Sequence, residues 1–215
     1  MIIQWCLKGI PETGTFGTFG AGQVIDILST LGLMASWVRD PANSALPVAA
    51  GWAKAHADLS DAALAAHVNA HSLVGRKSPY ISMTAGVVER DPVTRQLITH
   101  SPWKTALDFA TDGGHSDGYV FECWVSVPFK PGPELPGFAE EVRDLNLHRY
   151  AAWWHHEGEI AAKLVVPPRQ IRRVRKYSRS TAVLPLPAAV SAVAPAGFNP
   201  AFVPPERLSN IRDLV

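Results

Sequence analysis

The chain has 215 residues, and its 20 lysines and arginines nearly balance its 19 aspartates and glutamates, giving a formal net charge of +1. That balance excludes a strong overall field of either sign, so net charge indicates no particular partner. A chain of this size can bury roughly 70 % of its unfolded surface, so it can form a stable core without disulfide bonds. Cys6 and Cys123 are too few for a disulfide framework and lack metal-ligand spacing, which indicates two reduced thiols.

The N-terminal residues 1–9 contain no basic segment followed by an apolar segment, a pattern that predicts no signal peptide. No window reaches the roughly 18 continuous apolar residues that a membrane-spanning helix needs. We therefore expect a cytoplasmic protein without a membrane partner, or an effector that a specialised export system secretes.

In the first half of the chain, hydrophobic spacing predicts alternating strands and helices. The apolar residues 2–10 predict a strand closed by Pro11, and residues 23–32 show the spacing of a helix. The alanine-rich residues 59–75 predict a second helix. Residues 80–88 follow a proline that disfavours helix and are rich in β-branched and aromatic side chains, which predicts a strand.

The second half of the chain continues this alternation. Residues 103–111 predict a short helix, and the charged residues 138–154 predict a longer one. Residues 119–127 are almost continuously apolar and aromatic, which is typical of a central strand covered on both faces. Two further strands are predicted at residues 159–166 and 169–177.

From Ser180 onward, repeated prolines interrupt a sequence rich in alanine and valine, a composition that disfavours a regular helix or an inner strand. We therefore predict a domain over residues 1–179 and a tail over residues 180–215 that packs on the domain or extends from it.

Two carboxylates, Glu157 and Glu159, stand one glycine apart where the strand at residues 159–166 begins. In an extended segment such residues project to the same side, roughly 7 Å apart. Carboxylates this close repel, so that one holds its proton more tightly and the pair suits acid–base work. A solvated strand entrance is the commoner origin of such a doublet.

A second doublet, Ser82 and Thr84, lies at positions i and i+2 of the strand predicted over residues 80–88, so both hydroxyls share one face. Upstream, His67 and His71 lie toward the end of the alanine-rich helix. Alone, each feature is more often a polar stripe or a helical histidine without catalytic function.

Taken in order, the segments "CLKGI", "HVNAHSL", "SPYISMT" and "HHEGEIAAKLVVPPRQIRRV" resemble the motifs of the mono-ADP-ribosyltransferases, in particular the cholera-toxin-like and pierisin-like enzymes. The resemblance covers roughly residues 1–177. It implies an α+β fold, a split β-sandwich with flanking helices, followed here by the irregular proline-rich tail. It also implies that NAD is the substrate, that nicotinamide is released and that ADP-ribose is transferred to a macromolecular acceptor.

The resemblance implies a role for each acidic residue. Glu159 matches the catalytic glutamate that accepts a hydrogen bond from the ribose 2′-hydroxyl of NAD, a bond that strengthens as positive charge grows on the sugar. Glu157 matches the residue that positions the attacking acceptor and helps to deprotonate it. A glutamate in this first position resembles the arginine-modifying branch of the family.

The remaining roles concern the binding of NAD. Ser82 and Thr84 would hold the catalytic glutamate and the ribose, and His67, with His71 as the second candidate, would contact the adenosine side. Lys8 stands where the family usually has an arginine on the diphosphate, and a lysine cannot make the bidentate contact. Gly9 follows it, as expected where backbone and ligand approach closely.

Two other classes of function and one further partner remain as alternatives. The basic run over residues 169–179 could bind nucleic acid, without catalysis or as the acceptor, although positive charge at a sheet edge also discourages edge pairing. His148, His155 and His156 could bind a metal, but their spacing matches no zinc pattern, so no metal is expected. A bacterial toxin of this class would also need an antitoxin or immunity protein as a partner.

Overall fold

A mostly antiparallel β-structure flanked by short helices makes up the described part of the chain. The computed structural model describes residues 2–14, 17–69, 77–90, 94–128, 137–140, 142 and 158–207, with residues 87–90, 97 and 98 described by their backbone alone. The strands are β1 Ile2–Pro11, β2 Thr13–Gly14, β3 Gly17–Thr18, β4 Leu33–Met34, β5 Tyr80–Thr84, β6 Val87–Arg90, β7 Leu97–His100, β8 Gly118–Val127, β9 Ala139–Glu140, β10 Glu159–Lys163, β11 Val165–Val166, β12 Ile171–Tyr177 and β13 Val183–Leu184.

The helices are short, and most of them lie in the first half of the chain. They are α1 Ala21–Asp26, α2 Ser36–Arg39, α3 Pro41–Ser44, α4 Val48–Asp58, α5 Asp61–Asn69, α6 Pro102–Ala110 and α7 Ala188–Val193, and a π-helical turn, Ile27–Leu31, continues α1. Single 3-10 turns occur at Pro168–Gln170, Pro195–Gly197 and Pro205–Arg207. None of the helices in the described ranges has the length and apolar character needed to cross a membrane.

Seven strands form one sheet in the order β13-β12-β8-β1-β5-β10-β9, and the pairs β4–β11, β2–β3 and β6–β7 stand apart from it. The α+β prediction is thus confirmed. Strand β8 is central and buried at every position except Glu122, in agreement with its apolar sequence. It pairs with β1 along all ten residues, whereas β1 meets β5 at the single register pair Leu7 and Thr84. The sheet therefore divides into two parts at the middle of β1.

Apolar side chains cover both faces of the sheet. The larger cluster packs alternate residues of β1, β8 and β10, such as Phe121 and Ile160, against α1 and α7. On the other face, one cluster packs Leu7 of β1 against α6, and another packs Tyr80 of β5 against Trp37 and the residues of α4 and α5. Since α5 lies on β5 and β10, its last turn is brought over the start of β10.

The structure differs from the predicted elements in two places before the proline-rich segment. The helix predicted over residues 138–154 is wrong at its start, because Ala139–Glu140 is strand β9, paired with β10 and buried. Burial against β10 outweighs the helical spacing there, and residues 143–154 lie outside the described ranges. Helix α4 was not predicted, because most of its residues are exposed and no apolar stripe marks it.

The proline-rich segment packs on the domain. Val190 and Ala194 of this segment are fully buried in the larger cluster, and Asn199 donates hydrogen bonds to the carbonyls of Pro168 and Ile171. The expectation of no regular helix was wrong for the six residues of α7, which fit between Pro187 and Pro195. The division of the chain at residue 179 stays a prediction.

A buried ion pair joins the last residue of β10 to β9 and leads to a prediction about stability. The Lys163 ammonium lies 2.6 Å from Glu140 Oε1, and both side chains are less than a tenth exposed. We expect Lys163→Met to lower the free energy of unfolding by about 3 kcal/mol, because the buried Glu140 carboxylate loses this cation. Chemical denaturation measures the change.

The matched control for that substitution is Lys54→Met, because Lys54 pairs with Asp58 at the surface of α4. Its expected cost is at most about 1 kcal/mol. The double variant Lys163→Met/Glu140→Leu should recover most of the lost stability. Equal effects of the two single lysine substitutions would contradict the assignment of a buried pair.

Candidate active site

Glu159 is the first residue of β10, and the sheet places it beside the hydroxyl doublet of β5. Glu159 is opposite Thr84, and Ala161 is opposite Ser82, in the antiparallel register of these two strands. Side chains of residues directly opposite and two positions along project from the same face. Glu159 and Thr84, 75 residues apart in the chain, therefore meet on one face of the sheet, together with Ser82.

His67 lies between these groups at the end of α5 and is 1 % exposed. Its Nε2 is 2.9 Å from Ser82 Oγ and 3.3 Å from Glu159 Oε1. Its Nδ1 is 2.7 Å from the Oγ of Ser78, a residue that the sequence analysis did not single out. The imidazole thus links two serine hydroxyls of one strand region to the carboxylate of the next strand.

The carboxylate of Glu159 is ionised at neutral pH although it is buried. Burial alone would raise its pKa, but the His67 imidazole, the Ser82 hydroxyl and the Lys8 ammonium together lower it below its ordinary value. The Oε1 atom of Glu159 is buried and lies 3.3 Å from His67 Nε2, and it makes no hydrogen bond of standard geometry within the described part of the chain.

Lys8, in the middle of β1, supplies positive charge to the same site. Burial lowers the pKa of its ammonium to about 8, while the Glu159 carboxylate opposes that shift. Because Lys8 and Glu159 each shift the pKa of the other, the two groups lie within electrostatic reach.

Arg39 is a second cation within electrostatic reach of Lys8, and no sequence pattern indicates it. It is exposed at the C-terminus of the four-residue helix α2, and its charge contributes to lowering the pKa of Lys8. Only the fold brings α2 next to β5, the neighbour of β1, so no spacing rule could have found this residue.

Packing against α6 is enough to explain why residue 9 is a glycine, and no ligand contact is needed. A Cβ on Gly9 would lie 2.1 Å from the carbonyl oxygen of Ala106 and 2.7 Å from the backbone nitrogen of Ala110, both in α6. The absence of a side chain lets α6 lie directly on β1. A contact between the Gly9 backbone and NAD stays a prediction.

Thr84 and two glycines shape the entrance to β10. Thr84 is buried, and its Oγ1 accepts a hydrogen bond from the backbone N–H of Gly86. Gly158 has φ +62°, and a Cβ there would lie 2.5–2.6 Å from the backbone of Gly86. The carbonyl of Gly158 accepts a hydrogen bond from Ala85 N–H. These contacts fix the direction in which the chain enters Glu159.

Other candidates from the sequence lie outside the described residues. They are Glu157, His71, His148, His155 and His156. Within the described ranges, no group of three or more histidine, cysteine, aspartate or glutamate side chains could hold a metal ion.

The basic run lies mainly on β12, where internal partners hold several of its side chains. Arg172 pairs with Glu122 at 2.9 Å, and Lys176 pairs with Glu12 at 2.8 Å. The guanidinium of Arg175 lies 5.3 Å from the ring of Trp103. These contacts explain the basic run as one partly exposed face of the sheet, whose side chains pair with acidic or aromatic side chains of the same chain.

Comparisons with known proteins yield one similar structure to describe. No family model matches the chain, and no curated protein matches it. Among solved structures, the catalytic domain of the mosquitocidal toxin from Bacillus sphaericus, solved as a mutant, is similar with 15% sequence identity and a TM-score of 0.41. The match covers 95% of this chain and 57% of that one. Similarity of this degree carries no conclusion about chemistry, which depends on the residues described above.

Proposed function

We propose that this chain is a mono-ADP-ribosyltransferase that takes ADP-ribose from NAD, releases nicotinamide and modifies a macromolecular acceptor. The observation that carries the proposal is the buried, ionised Glu159, which lies beside His67 and on the same sheet face as the hydroxyls of Ser82 and Thr84. The order of motifs along the chain supports the same reaction, because it resembles that of this enzyme family. The contacts among His67 of α5, Ser82 of β5 and Glu159 of β10 support it further.

Lys8 and Arg39 are the residues that bind the diphosphate of NAD in this proposal. Lys8 and Arg39 lie close enough for the charge of one to lower the pKa of the other. A diphosphate relieves such repulsion, since it brings two negative charges to both cations at once. The exposed Arg39 guanidinium also supplies the planar fork that Lys8 lacks. We therefore assign the diphosphate of NAD to this pair.

Glu159 then acts on the ribose. The 2′-hydroxyl of the nicotinamide ribose donates a hydrogen bond to Oε1, and this hydrogen bond strengthens as C1′ becomes positive. The bond between C1′ and the nicotinamide nitrogen breaks, and nicotinamide leaves with the bonding electron pair. A lone pair of the acceptor forms the new bond to C1′, and the acceptor's proton passes to a base.

The resemblance assigns that base to Glu157, which lies outside the described residues. The acceptor is protein arginine or a nucleic acid. Incubation with labelled NAD and a cell lysate, followed by separate protease and nuclease digestion, tests the proposal. Label that survives one digestion and not the other identifies the acceptor, and the absence of both transfer and nicotinamide release would contradict the proposed function.

The titration of Lys8 leads to a prediction about pH. Because its pKa in the free protein is about 8, the ammonium loses its proton above that pH and attracts the diphosphate less. We expect kcat/KM for NAD to fall above pH 8, since this ratio reports the free enzyme. The measurement is nicotinamide release at low NAD concentration from pH 6 to 10.

The control for the pH profile is Lys8→Arg, whose guanidinium stays protonated throughout this range. The variant should lose the alkaline decline, whereas Lys8→Gln should show weak binding at every pH. An alkaline decline of the same midpoint in Lys8→Arg would show that another group titrates.

A further inference from the structure

Ser78 is a buried hydroxyl that the proposed reaction does not yet use. It lies two residues before β5, is 3 % exposed, and approaches His67 from the side opposite to Ser82 and Glu159. Its Oγ is 2.7 Å from Nδ1 of the imidazole. A hydrogen bond this short between buried groups fixes both partners, so the position of its proton matters.

The hydrogen bonds around Ser78 show where that proton lies. A serine hydroxyl has one proton to donate and two lone pairs to accept with. The backbone N–H of Tyr80 donates to Ser78 Oγ at 3.1 Å, which uses the oxygen as an acceptor. Within the described ranges, the remaining hydrogen bond of Oγ is the one to Nδ1 of His67. If Nδ1 donated instead, the buried hydroxyl proton of Ser78 would have no acceptor among the described residues, so the Ser78 hydroxyl is the donor and Nδ1 the acceptor.

This assignment fixes the imidazole. If Nδ1 accepts, the proton of the neutral ring is on Nε2. Nε2 faces the Ser82 hydroxyl at 2.9 Å and the Glu159 carboxylate at 3.3 Å. The opposite tautomer would direct a lone pair of Nε2 at an ionised carboxylate, which is repulsive in a buried site.

We infer that Ser78 is a positioning residue that holds His67 as the neutral Nε2–H tautomer. The Nε2–H then directs a positive dipole toward Ser82 and Glu159. The consequence for turnover rests on the proposed function, because the orientation of Glu159 Oε1 matters for catalysis only if it receives the ribose hydroxyl. The tautomer itself is a property of the protein without NAD.

The test is the ¹⁵N spectrum of the His67 ring, recorded on the full chain labelled at histidine. The unaltered protein should show a protonated Nε2 and an unprotonated Nδ1. Ser78→Ala removes the donor to Nδ1 and should mix the two tautomers, and it should lower kcat for NAD hydrolysis about tenfold with little change in KM. Ser78→Thr keeps the hydroxyl and should restore both the spectrum and the rate.

Ser29→Ala is the control, because it removes an exposed hydroxyl that donates to Ile25 within a helix. It should change neither measurement. A proton on Nδ1 in the unaltered protein would overturn the inference even if Ser78→Ala failed to fold, as would an unchanged spectrum in Ser78→Ala. If the spectra behaved as expected but no variant, nor the unaltered protein, turned over NAD, the tautomer assignment would stand and the proposed function would fail.

Discussion

Replacing Glu159 by glutamine is expected to lower both NAD hydrolysis and ADP-ribose transfer by about 10²–10³-fold, the loss usual when one preorganised electrostatic contact to a transition state is removed. The glutamine side chain has the same shape, so His67 and Ser82 can still contact its amide oxygen. It carries no negative charge, however, and cannot strengthen its bond to the ribose hydroxyl as C1′ becomes positive.

Initial rates of nicotinamide release and of label transfer, measured at saturating NAD, check this prediction. The matched control is Glu122→Gln, since Glu122 is a carboxylate on β8 that pairs with Arg172 at 2.9 Å and is separated from β10 by the strands β1 and β5. Its rates should be unchanged. Turnover by Glu159→Gln within a few-fold of the unaltered protein would remove Glu159 from the reaction.

The same substitution has a consequence for stability that does not depend on catalysis. Because the fold lowers the pKa of Glu159, the ionised carboxylate stabilises the folded chain above the ordinary carboxyl range. That contribution is lost as the pH falls through the lowered pKa. The glutamine variant lacks it at every pH, so the difference in unfolding free energy between the two proteins should change only on acidification.

The sequence could predict those parts of the site that depend on local chain geometry. The alternation in β5 and the start of β10 at Glu159 follow from apolar spacing, and the hydroxyl and acidic motifs share a face for that reason. The central position of β8 follows from its nearly continuous apolar run. In each case the deciding information lies within a few neighbouring residues.

The contacts that complete the site depend on how distant segments pack. Arg39 reaches Lys8 only because α2 lies beside β5, and Ser78 reaches His67 only because α5 lies on β5. Ser78 belongs to the segment "SPYISMT", but nothing in that segment indicates its contact with a helix, and Arg39 belongs to no motif. Strand β9 was missed for the same reason, because the partner that buries Glu140 is 23 residues away in the chain, at Lys163.

Gly158→Ala is expected to lower activity about a hundredfold through the backbone, without altering any group that contacts NAD. Gly158 has φ +62°, a region that alanine adopts only with strain, and the new Cβ would lie 2.5 Å from the backbone of Gly86. Gly86 has φ +71° and packs against the carbonyl of His100, so it cannot move aside freely. The strain therefore has to be relieved by a shift of Glu159, the next residue.

Steady-state kinetics and thermal unfolding of the same preparations separate this effect from general damage. Gly22→Ala is the control, because a Cβ on Gly22 in α1 would meet nothing within 4 Å. It should keep full activity and be slightly stabilised, as alanine favours helix over glycine by about 1 kcal/mol. For Gly158→Ala, kcat should fall far more than the melting temperature does, since a displacement of Glu159 by about 1 Å suffices to misplace its Oε1. Full activity in a destabilised Gly158→Ala protein would mean that the glycine serves folding alone and that Glu159 does not depend on this turn for its position.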